Sequence, residues 1–162
     1  MKYWLTVIIA FAFILGGCND QNRCYDSIDT LMATSFKISD FKVMDTLSIH
    51  GVDKNAQGDT LVNDTLSSQT KRFALPLSLS SDSTGFVLFA NGTRDTVYIR
   101  HSMTMKFLSQ YCGFAPEYTI KGSSFTHGID SVKVSDVLVN TKSTLKNTND
   151  QNITIYFNPS VH

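Results

Sequence analysis

Apolar and polar residues alternate along most of this chain, and that period of two constrains the fold more than any other feature. Alternation places successive side chains on opposite faces of a strand, whereas an amphipathic helix repeats every 3.6 residues. In the longest run, 96–108, one face carries Val97, Ile99, Met103, Met105 and Phe107, and we expect both methionines in the core. No segment has a helical period. The pattern therefore predicts strands.

The amino-acid composition supports the same conclusion. Of the 14 acidic residues 13 are Asp, and Ser and Thr together number 35. Glu favours helices, whereas Asp and Ser favour turns and Thr suits strands. Basic residues also number 14, so no positive excess exists to neutralise phosphates. We therefore expect an all-β protein that does not bind nucleic acid.

Strand-like segments recur at the spacing of a sandwich or barrel. The run 86–90 is continuously apolar and is expected in the centre of a sheet, whereas Pro76 marks an edge strand because Pro donates no backbone hydrogen bond. The dipeptide 91–92, Asn-Gly, predicts a tight hairpin turn. We predict an antiparallel β-sandwich of seven to eight strands, immunoglobulin-like or transthyretin-like. The segments are 31–38, about 43–52, 73–79, 86–90, 96–108, 117–121, 129–139 and 152–157.

The first 17 residues have the features of a secretory signal peptide. Lys2 supplies a positive charge, residues 3–15 are almost all apolar, and small residues precede Cys18. The apolar run is shorter than the ~20 residues that a membrane-spanning helix needs. The sequence Leu-Gly-Gly-Cys at 15–18 resembles the lipobox of bacterial lipoproteins, in which the chain is cut before the cysteine and lipid is attached to its sulfur. The resemblance predicts lipidation at Cys18, with a simple secreted protein as the alternative.

These features divide the chain into three parts. We assign 1–17 to a signal peptide, 18–28 to a lipidated tether and 29–162 to a single β-sandwich domain. Asn19 follows the cysteine instead of the Asp that some bacteria use for inner-membrane retention. The expected location is therefore the cell envelope, with a lipid anchor in the outer membrane and the domain on either face.

The two remaining cysteines form an even pair. Cys24 and Cys112 would share an oxidising compartment, so we expect them to form a disulfide. Neither lies in a Cys-x-x-Cys motif, and a catalytic or metal-binding thiol is the weaker alternative. The bond would hold the tether against the domain.

Short motifs spread over the chain resemble a known family. They are the lipobox with Cys24, and the segments 85–88, 91–93, 106–108, 112–114, 127–132 and 152–157. Together these segments, over about 24–157, resemble an uncharacterised lipoprotein family of Bacteroidota, a domain of unknown function. The resemblance implies a bacterial lipoprotein with a β fold and an outer-membrane β-barrel protein as its partner. It transfers no catalytic residue.

An Asp followed by Ser or Thr, and then by an apolar residue or Thr, recurs eight times. A structural cause is that Asp ends a turn and Thr begins a strand. The pattern also resembles the O-glycosylation sequon of Bacteroidota. We favour Thr60 and Thr65 as glycan acceptors because they lie in a polar segment that we interpret as a loop. The other candidates are Thr30, Thr46, Thr96 and Ser131.

No catalytic signature is present. Glu117 is the only Glu, which excludes a paired-Glu glycosidase. The histidines lack metal-ligand spacing, and we predict neither a metal nor a cofactor; His101 falls on the apolar face of a strand and is expected in the core or at its rim. The segment 53–64 partly resembles a calcium loop, but Asp64 replaces the bidentate Glu, and a plain hairpin loop is favoured.

We therefore expect a membrane-anchored, non-enzymatic accessory or interaction module of the bacterial cell envelope. The alternative is a carbohydrate- or peptide-binding lipoprotein, with Tyr98, Tyr111 and Tyr118 as candidate contacts. A small hydrolase is the third hypothesis.

Overall fold

The computed structural model describes residues 30–38, 46–52, 60–65, 70–90, 93–110, 112–126, 128–140 and 151–157. Within these ranges all regular structure is strand. The strands are β1 (Leu31–Ile38), β2 (Thr46–Gly51), β3 (Thr60–Thr65), β4 (Thr70–Pro76), β5 (Ser83–Ala90), β6 (Thr93–Ser109), β7 (Gly113–Phe125), β8 (Ile129–Val134), β9 (Leu138–Val139) and β10 (Ile153–Phe157).

The strands form two sheets that pack against each other. One has four strands in the order β4-β1-β10-β8, and the other has six in the order β3-β2-β5-β6-β7-β9. The predicted all-β sandwich is confirmed, but the described residues form ten strands and not the seven to eight predicted. One pair departs from the antiparallel prediction, because β1 and β10 run parallel with Thr34 opposite Ile153. These are the first and last described strands, so the domain between them forms their connection, which no local signal reveals.

The core contains side chains from both sheets. Phe36 and Phe157 lie on neighbouring strands with ring centroids 5.8 Å apart. Burying such an aromatic side chain stabilises a fold by roughly 1.5–3 kcal/mol, so this contact contributes substantially to sheet packing. The largest fully buried side chains are Tyr118, Phe36, Phe86, Phe157, Met32, Leu47, Ile49, Leu75, Leu88, Ile99 and Ile153.

Most strand predictions agree with the structure. The edge position predicted for 73–79 is confirmed by β4, and β5 lies inside its sheet as predicted for 86–90. The segment 60–65 was predicted to be a loop, and this was wrong. It forms the edge strand β3, which pairs with β2. An edge strand can leave one face and one edge in water, so its sequence can be polar and lack the apolar alternation by which strands are predicted.

Two later predictions had the wrong bounds. The strand expected at 117–121 is the much longer β7, and the strand expected over 129–139 divides into β8 and β9. The division follows from Asp136, whose Oδ1 accepts a hydrogen bond from the Leu138 backbone N–H at 2.9 Å. Such a short-range bond from an Asp side chain interrupts strand pairing and forms a turn.

A buried asparagine connects the two sheets at the start of β10. Asn152 Oδ1 accepts the Ala33 N–H at 2.9 Å, and its Nδ2 donates to the Leu138 carbonyl at 2.8 Å. Its backbone N–H also donates to the Ala33 carbonyl at 2.9 Å. One side chain thus joins β1 of the four-stranded sheet to β9 of the six-stranded sheet.

Candidate interaction surface

The long strands β6 and β7 extend beyond their neighbours as a two-stranded hairpin. β5 pairs with β6 only from Thr93 to Arg100, and β9 pairs with β7 only at Tyr118 and Thr119. Among the described residues, 104–109 and 113–117 form strand pairs only with each other. Within the described chain, this end of the hairpin therefore has no third strand on either edge, although Ala115 within it is buried.

One face of this hairpin is apolar and exposed. Phe107 lies opposite Phe114, and Met105 lies opposite Pro116 on the same face. The phenylalanine rings meet edge to face with centroids 5.3 Å apart. Met105, Phe107 and Phe114 are 55%, 57% and 60% exposed, and we call these three side chains the apolar tip. Large apolar side chains exposed as a group, unlike scattered single ones, indicate an interaction surface.

The apolar tip corrects one prediction. Met103 and Met105 were both expected in the core. Met103 is half-buried and packs against the core, but Met105 is exposed. The alternation of the strand continues unchanged past Met103, whereas packing against the core ends there. Sequence periodicity therefore gives the face of Met105 correctly but does not reveal that this end of the face is exposed.

The opposite face of the hairpin is polar and borders a shallow groove. Lys106 Nζ lies 3.0 Å from Glu117 Oε2, across the two strands. The lysine is 60% exposed, so this ion pair contributes about 1 kcal/mol at most. The groove has a volume of about 280 Å³ and includes Leu108, the buried Ala115 and Asn140 in its lining.

A tight turn closes the hairpin. Gly113 has φ +66°, which a glycine adopts without strain, and the Cys112 N–H donates to Ser109 Oγ at 3.0 Å. Ser109 pairs with Gly113, leaving three residues in the loop, a common length for a hairpin that ends in a left-handed glycine. Cys112 thus lies at the end of the hairpin. Cys18 and Cys24 lie outside the described residues, so lipidation and the disulfide stay predictions.

The described chain begins beside this hairpin. Thr30 is buried, and its Oγ1 donates to the Pro116 carbonyl at 2.7 Å. This hydrogen bond fixes the start of the domain against β7. Because it is buried, Thr30 is also the least accessible of the candidate glycan acceptors whose side chains the structure describes.

The remaining candidate acceptors are spread over both sheets. Thr46, Thr60 and Ser131 are exposed, whereas Thr96 is half-buried inside the six-stranded sheet. Thr60 Oγ1 lies 3.2 Å from His50 Nδ1. The side chain of Thr65 lies outside the described part. Glycosylation at any of the six positions stays a prediction, although the loop that favoured Thr60 and Thr65 is strand β3.

His101 belongs to a buried polar network, as its place on the apolar face predicts. Its Nε2 lies 2.8 Å from Thr84 Oγ1, which accepts the Ser78 N–H at 2.8 Å. Whether the threonine hydroxyl donates to Nε2 or accepts from it depends on the tautomer of His101. Burial lowers the pKa of His101, and the opposing effect of Asp82 is smaller. The network attaches the connection between β4 and β5 to β6.

Tyr118 extends this network and corrects another prediction. Its ring meets that of His101 edge to face at 5.3 Å, and its hydroxyl donates to the Leu77 carbonyl at 3.1 Å. The side chain is only 2% exposed, and burial raises its pKa. Tyr118 was proposed as a contact for carbohydrate or peptide, and its burial rules out that role. Tyr98 is 42% exposed, and Tyr111 lies outside the described residues.

A second buried cluster surrounds Asp95, which sequence reasoning considered only as part of a sequon. Asp95 Oδ1 accepts from Thr126 Oγ1 and from the Gly128 N–H, both at 2.9 Å. Its Oδ2 is buried with no hydrogen-bond partner in the described chain. The cluster connects β6 to the turn between β7 and β8. Asp95 of the Asp-Thr pattern at 95–96 thus stabilises this turn, whether or not Thr96 carries a glycan.

Neither cluster has the composition of a metal site. Among the described residues no group of three or more His, Cys, Asp or Glu could hold a metal ion. The same residues include no helix of the length and apolarity needed to cross a membrane.

Comparison with known proteins identifies the family. A family model matches residues 46–157, which is more than half of the chain. The chain belongs to the family of unknown function DUF6452. The DUF6452 match begins at β2 and ends with β10, so it includes the hairpin and both buried clusters. No curated protein matches the chain, and no solved structure matches it.

Proposed function

We propose that this DUF6452 protein is a lipid-anchored, non-enzymatic accessory module of a bacterial cell envelope. The observation that carries the proposal is the exposed apolar tip of a hairpin that lies beside the start of the domain. A hydrophobic surface next to a tether suits a protein that works at or near the membrane.

The sequence supports the anchor. The lipobox-like 15–18 and the short apolar run before it support a lipoprotein whose mature chain starts at Cys18. The motif resemblance supports a Bacteroidota lipoprotein, and Asn19 supports the outer membrane. A disulfide from Cys24 to Cys112 would join the tether to the end of the hairpin. The resemblance implies an outer-membrane β-barrel protein as the partner. A lipid anchor in the outer membrane would place both proteins in the same membrane.

The buried clusters support a non-enzymatic role. Thr84 and His101 form a hydroxyl–imidazole pair, but His101 is 2% exposed and the hydroxyl also accepts a backbone N–H. Asp95 is 4% exposed and holds a turn. A general base must reach the reacting group, and the His101 imidazole is enclosed by the fold, although Thr84 itself is half-buried.

The test is to purify the lipoprotein from its own membranes after mild crosslinking and to identify the proteins that are recovered with it. One envelope protein recovered in a stoichiometric amount supports the accessory role. Recovery of the lipoprotein alone would contradict the proposal.

A second candidate function has one observation in its favour. Tyr98 is exposed on the outer face of the six-stranded sheet, and its Cε1 lies so close to Gly85 that a Cβ there would come within 2.7 Å. An exposed ring supported by backbone is a suitable surface for a sugar or an extended peptide. A glycan and peptide binding screen in which Tyr98→Ala abolishes a wild-type signal would support this function over the first.

A further inference from the structure

We propose that the apolar tip lies in the lipid bilayer when the protein is anchored. The side chains concerned are Met105, Phe107 and Phe114. The inference rests on the lipid anchor of the proposed function and goes beyond it by naming what covers the exposed surface. The occupant is the interfacial region of the membrane, where headgroups meet acyl chains.

The chain enters the domain beside the hairpin. Thr30 is hydrogen-bonded to the Pro116 carbonyl, at the base of the hairpin. The predicted lipidated residue, Cys18, precedes it by 12 residues, which span at most about 40 Å when fully extended. The chain therefore enters the domain beside the hairpin that carries the apolar tip. The predicted bond between Cys24 and Cys112 would shorten the free tether to six residues, or about 20 Å.

The chemistry of the apolar tip suits a lipid interface. Two phenylalanines and a methionine are more than half exposed, and Lys106 extends from the same strand on the opposite face. Apolar side chains with a neighbouring lysine suit the membrane interface. There the apolar side chains enter the acyl-chain boundary, while the lysine ammonium group stays in water. An acyl anchor also keeps the hairpin at a high local concentration near the bilayer, so a weak contact is well populated.

The apolar tip is small compared with a protein interface. A phenylalanine side chain presents about 200 Å², so three side chains exposed by little more than half offer roughly 350 Å². A stable protein interface buries about 800 Å² on each partner. The apolar tip alone is too small for a second copy of the chain, whereas a bilayer needs no minimum complementary area.

The experiment uses a single tryptophan as a reporter. Trp4 is the only tryptophan and lies in the predicted signal peptide, so the mature chain would have none. Phe114→Trp places the reporter in the apolar tip. Phe125→Trp is the matched control, because it lies on the same strand 11 residues away, which corresponds to about 36 Å. Met105→Trp is a second reporter in the tip, in case Phe114→Trp alters the fold.

Each variant is purified as the mature, lipidated protein and reconstituted into vesicles of phosphatidylcholine and phosphatidylglycerol, with or without bromine on the acyl chains. The inference predicts that bromine removes about half or more of the emission of Phe114→Trp and Met105→Trp, since interfacial side chains reach about 5–10 Å into the boundary region. The Phe125→Trp emission should change little.

The outcomes separate the two proposals. If the vesicles carry the lipidated protein but bromine leaves the tip reporters unquenched, the bilayer contact is wrong and the anchor stands. Blue-shifted but unquenched tip emission, with crosslinks between two copies or to a barrel protein, would also overturn the contact and identify a protein as the occupant. If the mature protein carries no acyl chain, both proposals fail.

Discussion

Gly128→Ala should destabilise the protein strongly, although it adds one methyl group. A Cβ at Gly128 would overlap Asp95 Oδ2 and come within 2.7 Å of the Asp95 Cγ atom. The carboxylate must then move away from the Gly128 N–H and from Thr126 Oγ1, which donate to its other oxygen. The substitution is thus expected to disrupt both hydrogen bonds of a buried carboxylate.

The magnitude follows from those two bonds. A hydrogen bond to a charged group contributes about 1.5–3 kcal/mol, and relaxation of the turn recovers part of the loss. We expect the free energy of unfolding to fall by about 2–4 kcal/mol. For a domain of this size the fall corresponds to a decrease in Tm of roughly 6–15 °C, measured by thermal denaturation with circular dichroism.

Gly51→Ala is the matched control. A Cβ there would meet only Leu61 Cδ1, at an ordinary contact distance of 3.9 Å. Loss of glycine flexibility in the unfolded chain should leave stability unchanged or raise it by about 0.4–1 kcal/mol. A Gly128→Ala variant as stable as Gly51→Ala would refute the view that the Asp95 carboxylate is held against this turn.

Three further predictions concern other parts of the molecule. Burial lowers the pKa of His101 in the folded protein, so near and below pH 6.5 the unfolded chain binds more protons than the folded one. The free energy of unfolding, measured by urea denaturation, should therefore fall as the pH decreases from 7 to 5. In the His101→Gln variant the free energy of unfolding should depend less on pH. Tyr118→Phe leaves the Leu77 carbonyl without its partner and should cost about 1–3 kcal/mol, whereas Tyr98→Phe should change stability by less than about 0.5 kcal/mol; equal effects would contradict the buried hydrogen bond. The variant with Phe107→Ser and Phe114→Ser should keep its Tm within a few degrees because both rings are exposed, whereas Phe36→Ala should lower stability by about 3–5 kcal/mol; a large loss in the first variant would place the tip in the core.

The sequence was most informative where apolar periodicity alone sets the structure. The strand predicted over 96–108 corresponds to Thr93–Ser109, and the one over 31–38 matches β1. Period-two alternation fixes which residues share a face, and a continuous apolar run fixes a central position. The edge strand β3 was missed because its solvated residues, among them Asn63, carry no alternating apolar signal.

The candidate surface was harder to predict because it depends on what the rest of the chain leaves uncovered. Alternation placed Met105 and Phe107 on the apolar face of their strand, but did not reveal that this end of the face is exposed. The hydrogen bonds of Asp95 and Asn152 reach residues 33 and 119 positions away, respectively. Such contacts leave no local trace in a single sequence. A long strand followed by Cys-Gly and a second apolar run at 112–116 is the one signal that could have indicated a long hairpin.

The lipid anchor on Cys18 is the central claim, and the most direct test is the intact mass of the native protein extracted from its own membranes. The account predicts a mature chain that begins at Cys18 and carries the added mass of two or three acyl chains, with any glycan as a further increment. A chain that begins elsewhere, or begins at Cys18 with no added lipid, would contradict it.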